Sequence, residues 1–426
     1  MKPHVLSAIG QRTIEPAISW LMTAALSRPK LISLAAGFTD NASLPVADTR
    51  KLIDAILHTN KTGQPALQYG STAGDASLRE LTAKRLQKLD GARGKTYDAD
   101  RTLITGGSQQ LLYMTLEALC DTGDIILVED PTYFVFLSIL QSRGIKARGV
   151  KLERDGVDLE NLEKVLERLK KSGELRRVKA LYLVSYFQNP TGATTTFAKK
   201  QAALKLLKKF ERFAGHPIYL LEDAAYRELR FTGEDVPSAL AIQGAAERVI
   251  YTGTYTKPFA TGARVGFGIL PEPLFTAVKR IKGNHDFGTS NLLQQLVTRA
   301  LATSIYDQHV ARLQKRYAQK ARVMKRALTE HFPTNVEIWE SEGGLYFWAR
   351  LPKGISSGVK SKVFQTALKN DVLYVPAELC YADDSSRKKP DNEMRLSFGS
   401  ANEDNIREGI KRLGKVLKKF CNPSSC

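Results

Sequence analysis

The stretch Arg248-Val249-Ile250-Tyr251-Thr252-Gly253-Thr254-Tyr255-Thr256-Lys257, with Arg264 seven residues past the lysine, decides how the rest of the chain is read. Residues 248–251 make a short apolar strand, and residues 259–268 a glycine-punctuated turn into another. A lysine straight after a strand, between threonine hydroxyls and near an arginine, suits a covalently held aldehyde. Its amine can form a Schiff base while Thr254, Thr256 and Arg264 hold an attached phosphate. The plain alternative is a solvated lysine, because the 426 residues include 63 Lys and Arg.

Moving outward, the same layout recurs at other strand ends. The apolar run 125–128 ends at Glu129-Asp130-Pro131-Thr132-Tyr133, the run 181–184 at Tyr186-Phe187-Gln188-Asn189-Pro190-Thr191-Gly192, and the run 218–221 at Glu222-Asp223-Ala224-Ala225-Tyr226. Short apolar runs separated by helical stretches predict a mostly parallel sheet covered on both faces, a three-layer α/β/α large domain. Ligands on such sheets bind beyond the carboxyl ends of the strands, where these residues fall. Residues 101–105 lead into Gly106-Gly107-Ser108-Gln109-Gln110 and an apolar helix over 111–119, which is the layout of a phosphate site. A tight strand-to-helix connection is the alternative there. Asp223 alone could be a cap or turn residue, and Tyr133 a core or rim tyrosine. Met394-Arg395-Leu396-Ser397-Phe398 sets an arginine in an apolar strand, where either a ligand carboxylate or a buried salt bridge must compensate it.

Composition is that of a globular protein, with 43% hydrophobic and 25% charged residues, and the length allows two domains. The formal charge of +19 is spread over amphipathic stretches such as 199–212 and 411–419. No reader motif or basic-aromatic cluster accompanies it, so a solvated basic surface is expected and no specific nucleic acid. Cys120, Cys380, Cys421 and Cys426 lack metal or disulfide-framework spacing, and the six histidines are scattered. With no signal-peptide core and no membrane-length apolar run, the expected location is cytoplasmic.

Elsewhere the patterning predicts helices over 14–26 and 46–57, a strand over 31–34, and a helical region from 291 to about 331 that leads into a second unit. That unit has strand runs at 344–351, 372–375 and 393–398 and a final basic helix from 402, an α+β domain. The polar loop 382–391 is the one candidate for disorder. The expected division is an N-terminal segment over 1–60, a large domain over 61–305 and a smaller domain over 306–426.

Taken together, the lysine stretch, Asn189-Pro190-Thr191-Gly192, Glu222 to Tyr226 and Arg395-Leu396-Ser397-Phe398 resemble the fold-type I pyridoxal 5'-phosphate (PLP) enzymes. The chain is most similar to the class I/II aminotransferases, in the branch of the 2-aminoadipate and kynurenine enzymes, from about residue 32 to 417. The resemblance implies that Lys257 carries PLP, that Asp223 keeps its pyridine nitrogen protonated, and that Tyr226 and Asn189 reach its phenolic oxygen. It implies Tyr133 over the ring, Ser108, Gln109, Thr254, Thr256 and Arg264 on the phosphate, and Tyr69 on the phosphate of a partner subunit in a homodimer. Arg395, with Asn189 and the backbone near Gly37, would bind the substrate carboxylate. The implied activity is transamination between an amino acid and a 2-oxo acid, with 2-oxoglutarate the expected acceptor.

Two features depart from the family pattern. Pro258 follows the lysine, where a residue with a free N–H is usual, and threonines flank it where serines are common. The first helix reads Ile18-Ser19-Trp20-Leu21-Met22, without the arginine that the 2-aminoadipate enzymes use for a distal carboxylate, which favours aromatic or aliphatic donors. A core-facing Trp20 is the alternative. β-Elimination, side-chain cyclisation or decarboxylation on the same scaffold remain rival reactions. A PLP-binding regulator is disfavoured because only about 30 residues precede Ile32.

Overall fold

A computed structural model describes residues 5–92, 94 and 96–421, with the side chains of Ile18, Met22, Ala24, Ala25 and Leu26 outside the description. Its central sheet has eight strands: β1 (Thr102–Thr105), β2 (Ile125–Asp130), β3 (Lys146–Glu153), β4 (Gly156–Val157), β5 (Val178–Val184), β6 (Tyr219–Asp223), β7 (Val249–Thr254) and β8 (Gly266–Ile269). Their spatial order is β1-β8-β7-β6-β5-β2-β3-β4. β2 pairs in parallel with β3 and β5, β5 with β6, and β6 with β7, whereas β8 is antiparallel to β7 and β1, and β4 to β3. All strands but β4 and β8 therefore run the same way, and their carboxyl ends share one edge.

The apolar runs are continuous because helices cover both faces. Ile126, Val128, Tyr182, Leu221 and Ile250 pack with Leu111, Leu112, Met114 and Phe136 of the helices Ser108–Leu119 and Phe134–Arg143. The alternate residues Ile125, Leu127, Leu181, Leu183 and Leu220 pack with Leu162, Leu166, Leu204, Leu207 and Phe210 of Leu159–Lys171 and Phe197–Ala214. Those are the three layers the patterning predicts.

A second sheet is antiparallel throughout, ordered β9 (Glu337–Trp339), β10 (Tyr346–Arg350), β12 (Glu393–Ser397), β11 (Val375–Pro376). The N-terminal segment joins this part: Ile32–Ser33 pairs in parallel with Val372–Leu373, and Ser397 N donates to Leu34 O at 2.7 Å.

Several boundaries differ from expectation. The helix expected over 14–26 begins only at Ala17 and runs to Leu26, and a separate short helix, Ala8–Arg12, precedes it across a link that holds Ile14 and Pro16. The helical region breaks between Asn291–Ala302 and Ile305–His331, where Thr303 is extended. The loop 382–391 is pinned rather than loose. Ala382 N donates to Asp130 Oδ1 at 3.1 Å, Arg387 forms an ion pair with Asp130, and Ser386 N donates to Asp384 Oδ1 at 2.9 Å. Its polarity reflects charges in use. Among the described residues no helix is long and apolar enough to cross a membrane.

Candidate active site

The shared carboxyl edge opens into a cavity of about 120 Å³ to which most of the sequence-predicted residues contribute. Strand ends deliver them: β1 leads to Ser108 and Gln109, β2 to Tyr133, β5 to Asn189, β6 to Asp223 and Tyr226, β7 to Thr254, Thr256 and Lys257, and Arg264 stands before β8.

Asp223 is 4% exposed. Its Oδ2 accepts from Tyr182 Oη at 2.9 Å and its Oδ1 from Ala225 N at 3.1 Å. Burial pushes its carboxyl up to about 6 against those two hydrogen bonds, with Glu222 adding to the rise. Among the described residues it has no cationic partner. Lys257 Nζ donates to Gly37 O at 2.7 Å and likewise meets no carboxylate. Burial lowers its amine to about 8, and the like charges of Arg264 and Arg395 lower it further.

The phosphate-like corner is built from backbone. Gly107 precedes the helix Ser108–Leu119 at φ 90°, in the left-handed region open to glycine, and no side chain caps that helix. Its first N–H groups are therefore free for an anion. A Cβ on Gly107 would lie 2.7 Å from Arg264 Nη2, so the glycine lets the guanidinium close in. The two threonines differ. Thr254 Oγ1 donates to Val265 O at 3.2 Å and accepts from Thr256 N at 3.0 Å, whereas Thr256 Oγ1 is buried without a partner among the described residues. Pro258 fits this turn, because Phe259 N, and not residue 258, closes it on Tyr255 O at 3.0 Å.

Arg395 lies beside the cavity, 1% exposed. Its Nη1 donates to Asn189 Oδ1 at 2.7 Å and its Nη2 to Ala35 O, while Nε has no partner among the described residues. No carboxylate among the described residues pairs with it, which removes the buried salt bridge as its explanation. Tyr69 stands apart from the cavity, 82% exposed, its ring edge-on to Phe287 at 5.4 Å. Trp20 packs edge-on to Phe364 at 6.2 Å.

Two residues escaped the sequence reading. Tyr182 fixes Asp223; its only sequence signal is a phenol inside a fully buried apolar run, where the hydroxyl needs a partner. Tyr346, after Gly343-Gly344-Leu345, bonds Tyr226 Oη at 3.0 Å and stacks on Arg395.

A strand-edge cavity with an unpaired acid, a lysine of lowered basicity and an anion corner defines a site for a phosphorylated, protonatable aldehyde. Comparison with known proteins agrees. Residues 29–413 match the family described as aminotransferase class I and II. Over 390 residues the chain is 32% identical to the aromatic-amino-acid aminotransferase 1 of Thermococcus litoralis, covering 91% of this chain and 88% of that protein. The kynurenine aminotransferase of Pyrococcus horikoshii, solved in complex with PMP, superposes with a TM-score of 0.88 at 31% identity over 98% of each chain. LysN, the alpha-aminoadipate aminotransferase of Thermus thermophilus, complexed with N-(5'-phosphopyridoxyl)-L-leucine, gives 0.82 at 30% identity over 97% of each. The chain belongs to the aminotransferase class I and II family. It has the fold type I architecture and is a PLP-dependent aminotransferase.

Proposed function

We propose that the enzyme moves the amino group of an L-amino acid with an aromatic or aliphatic side chain to a 2-oxo acid, with 2-oxoglutarate as the usual acceptor. The observation that carries this reading is a pattern of missing partners. Among the described residues Asp223 lacks a cation, and Lys257 and Arg395 lack carboxylates, around one cavity. A ring nitrogen, a covalent carbonyl and a substrate carboxylate supply what is missing. The absence of arginine from the stretch Ile18-Ser19-Trp20-Leu21-Met22 and the relatives named for aromatic amino acids and kynurenine support the donor class.

When bound, PLP supplies an electron sink for the charge left on Cα and a carbon that carries the amino group between two oxo acids. Asp223 would hold the proton on the pyridine nitrogen, and Tyr133 would cover the ring. Tyr226 and the amide N–H groups of Asn189 would face the phenolic oxygen. Ser108, Gln109, Thr256 and Arg264 would hold the phosphate, with Thr254 bracing Thr256. Lys257 Nζ would carry the covalent linkage and then, as a free amine, move the Cα proton, a general-base contribution of roughly 10²–10⁴-fold. Arg395 would bind the α-carboxylate through its fork, with Asn189 and the backbone at Gly37 beside it.

The division into residues 1–60, 61–305 and 306–426 belongs to this reading. So does a homodimer: Leu67, Tyr69 and Phe287 are exposed apolar surface that a second copy would cover while bringing Tyr69 to its phosphate corner. The free, buried Cys120, Cys380 and Cys421 suit a reducing, cytoplasmic setting; Cys426 lies outside the described residues. The test is a panel of amino acids added to the holoenzyme. Aromatic donors should bleach its visible absorbance stoichiometrically, and 2-oxoglutarate should restore it. Release of ammonia or CO₂ in place of a 2-oxo acid overturns the reading.

A further inference from the structure

We propose that Tyr346 is a positioning residue of this site, whose hydroxyl donates to the phenol of Tyr226 while its ring backs the guanidinium of Arg395. The inference rests on the reading above, in which Tyr226 faces the cofactor's phenolic oxygen and Arg395 the substrate carboxylate.

Tyr346 opens β10 and is 1% exposed. Its Oη lies 3.0 Å from Tyr226 Oη, with the two rings edge-to-face at 5.7 Å. Arg395 Cζ sits 4.4 Å from the centre of the Tyr346 ring. A Cβ at Gly37 would come within 2.7 Å of Tyr346 Oη, so the glycine leaves the space that hydroxyl occupies. Gly37 also supplies the carbonyl that receives Lys257 Nζ. One tyrosine thus adjoins the groups assigned to the cofactor, the lysine and the substrate.

Two phenols in contact share one hydrogen, so the other hydroxyl must donate elsewhere. Once Tyr226 gives its hydrogen to the cofactor's phenolic oxygen, its own oxygen is left as an acceptor, and Tyr346 is in place to fill it. A hydroxyl that accepts while it donates is a stronger donor. Tyr226 then draws more charge from the phenolic oxygen, which holds the proton of the neighbouring lysine-linked nitrogen less tightly. Tyr346 in this way lowers the pH at which that proton leaves, without touching the cofactor. The charged and titratable groups facing this corner are Asp223, Arg264, Arg395, Lys257, Tyr133 and Tyr226, with Tyr317 of the helix Ile305–His331 beside Tyr346. Tyr346→Phe keeps them all and removes one oxygen atom.

The test is a pH titration of the visible band of the holoenzyme, with KM for an aromatic donor measured alongside. Tyr226→Phe should raise the midpoint by about one pH unit, and Tyr346→Phe by about 0.3 in the same direction with KM held. Tyr346→Leu, which also removes the ring behind Arg395, should raise KM several-fold as well. A midpoint that moves in Tyr226→Phe but not in Tyr346→Phe overturns this inference alone. No movement in either variant overturns the placement of Tyr226 and the reading beneath it. Equal KM increases in the Phe and Leu variants overturn the division between hydroxyl and ring.

Discussion

Strand β6 ends in two adjacent carboxylates that point to opposite faces of the sheet, and these two carboxylates meet opposite surroundings. On one face Glu222 and Lys200 are both fully buried and 2.8 Å apart. Ala239 N donates to Glu222 Oε2 at 2.7 Å, and Lys200 Nζ donates to Pro237 O at 3.0 Å. Close by, Arg227 pairs with Asp90 at 2.7 Å and Asp235 at 3.0 Å. On the other face Asp223, Lys257 and Arg395 are buried or half-buried among neutral or like-charged neighbours. A buried charge without a partner is expensive, and Lys200 shows that this chain can supply a cation to a buried carboxylate on this strand. On the reading proposed above, the unpaired set awaits charges that arrive with ligands.

Substituting one lysine from each face tests that contrast most severely. Lys257→Ala should cut transamination by at least 10²–10⁴-fold and abolish the visible band, while the apo-protein melts no lower than wild type. Lys200→Ala should do the reverse. It strands Glu222 and should lower the unfolding free energy by about 3–5 kcal/mol, with activity per folded molecule retained. Denaturant melts and steady-state rates on both proteins decide it. A stability loss at Lys257 matching that at Lys200 would erase the distinction.

Asp223 sharpens the comparison through pH. Its folded carboxyl titrates near 6, above the ordinary carboxyl range, so the folded state holds this proton more tightly than the unfolded chain does. The apo-protein should therefore lose stability as pH rises from about 4 to 6 and stay lower above that, by roughly 3 kcal/mol at most. Asp223→Asn removes the ionisation. Apo Asp223→Asn should match wild type at about pH 4 and equal or exceed its melting temperature at pH 8, while binding PLP more weakly. A variant that melts lower at pH 8 than at pH 4 relative to wild type would show that the carboxylate is stabilising as it stands.

Arg395→Lys asks whether the guanidinium fork is itself the recognition element. A lysine keeps the charge but loses the bidentate geometry and the bond to Asn189, so KM for the amino donor should rise about 10–100-fold with a smaller change in kcat. Equal losses for donors with and without an α-carboxylate would move the substrate's anion elsewhere.

The sheet was legible because fully buried strands leave continuous apolar runs and because the candidate site residues gather at strand ends, as Asn189, Asp223 and Lys257 do. What stayed hidden was pairing through space. Lys200 lies in a basic helical stretch whose charge suggests solvent, yet its own position faces Glu222. Residues 382–391 read as disordered because local composition does not show Asp130, some 250 positions away, waiting for Arg387. Tyr182 and Tyr346 are hydrophobic by composition, and only their hydroxyl partners reveal them. Thr254 and Thr256 look interchangeable in the sequence, although one hydroxyl is committed and the other is not.

Those two threonines give the finest form of the comparison, paired against unpaired within a single turn. Valine has the shape of threonine without its hydroxyl, so each substitution removes one polar group and little else. Thr254→Val breaks the bond to Val265 O and strips Thr256 N of its acceptor, and the apo-protein should lose about 1–2 kcal/mol. Thr256→Val removes a buried hydroxyl that has no protein partner, so apo stability should hold or rise slightly. Its effect should appear on titrating apo-protein with PLP, where the loss of one hydrogen bond to a charged phosphate weakens binding about 10-fold. The effects should cross, with the stability loss at residue 254 and the larger affinity loss at residue 256. If both variants melt lower by the same amount and bind PLP like wild type, this turn is scaffold and the phosphate belongs to another part of the cavity.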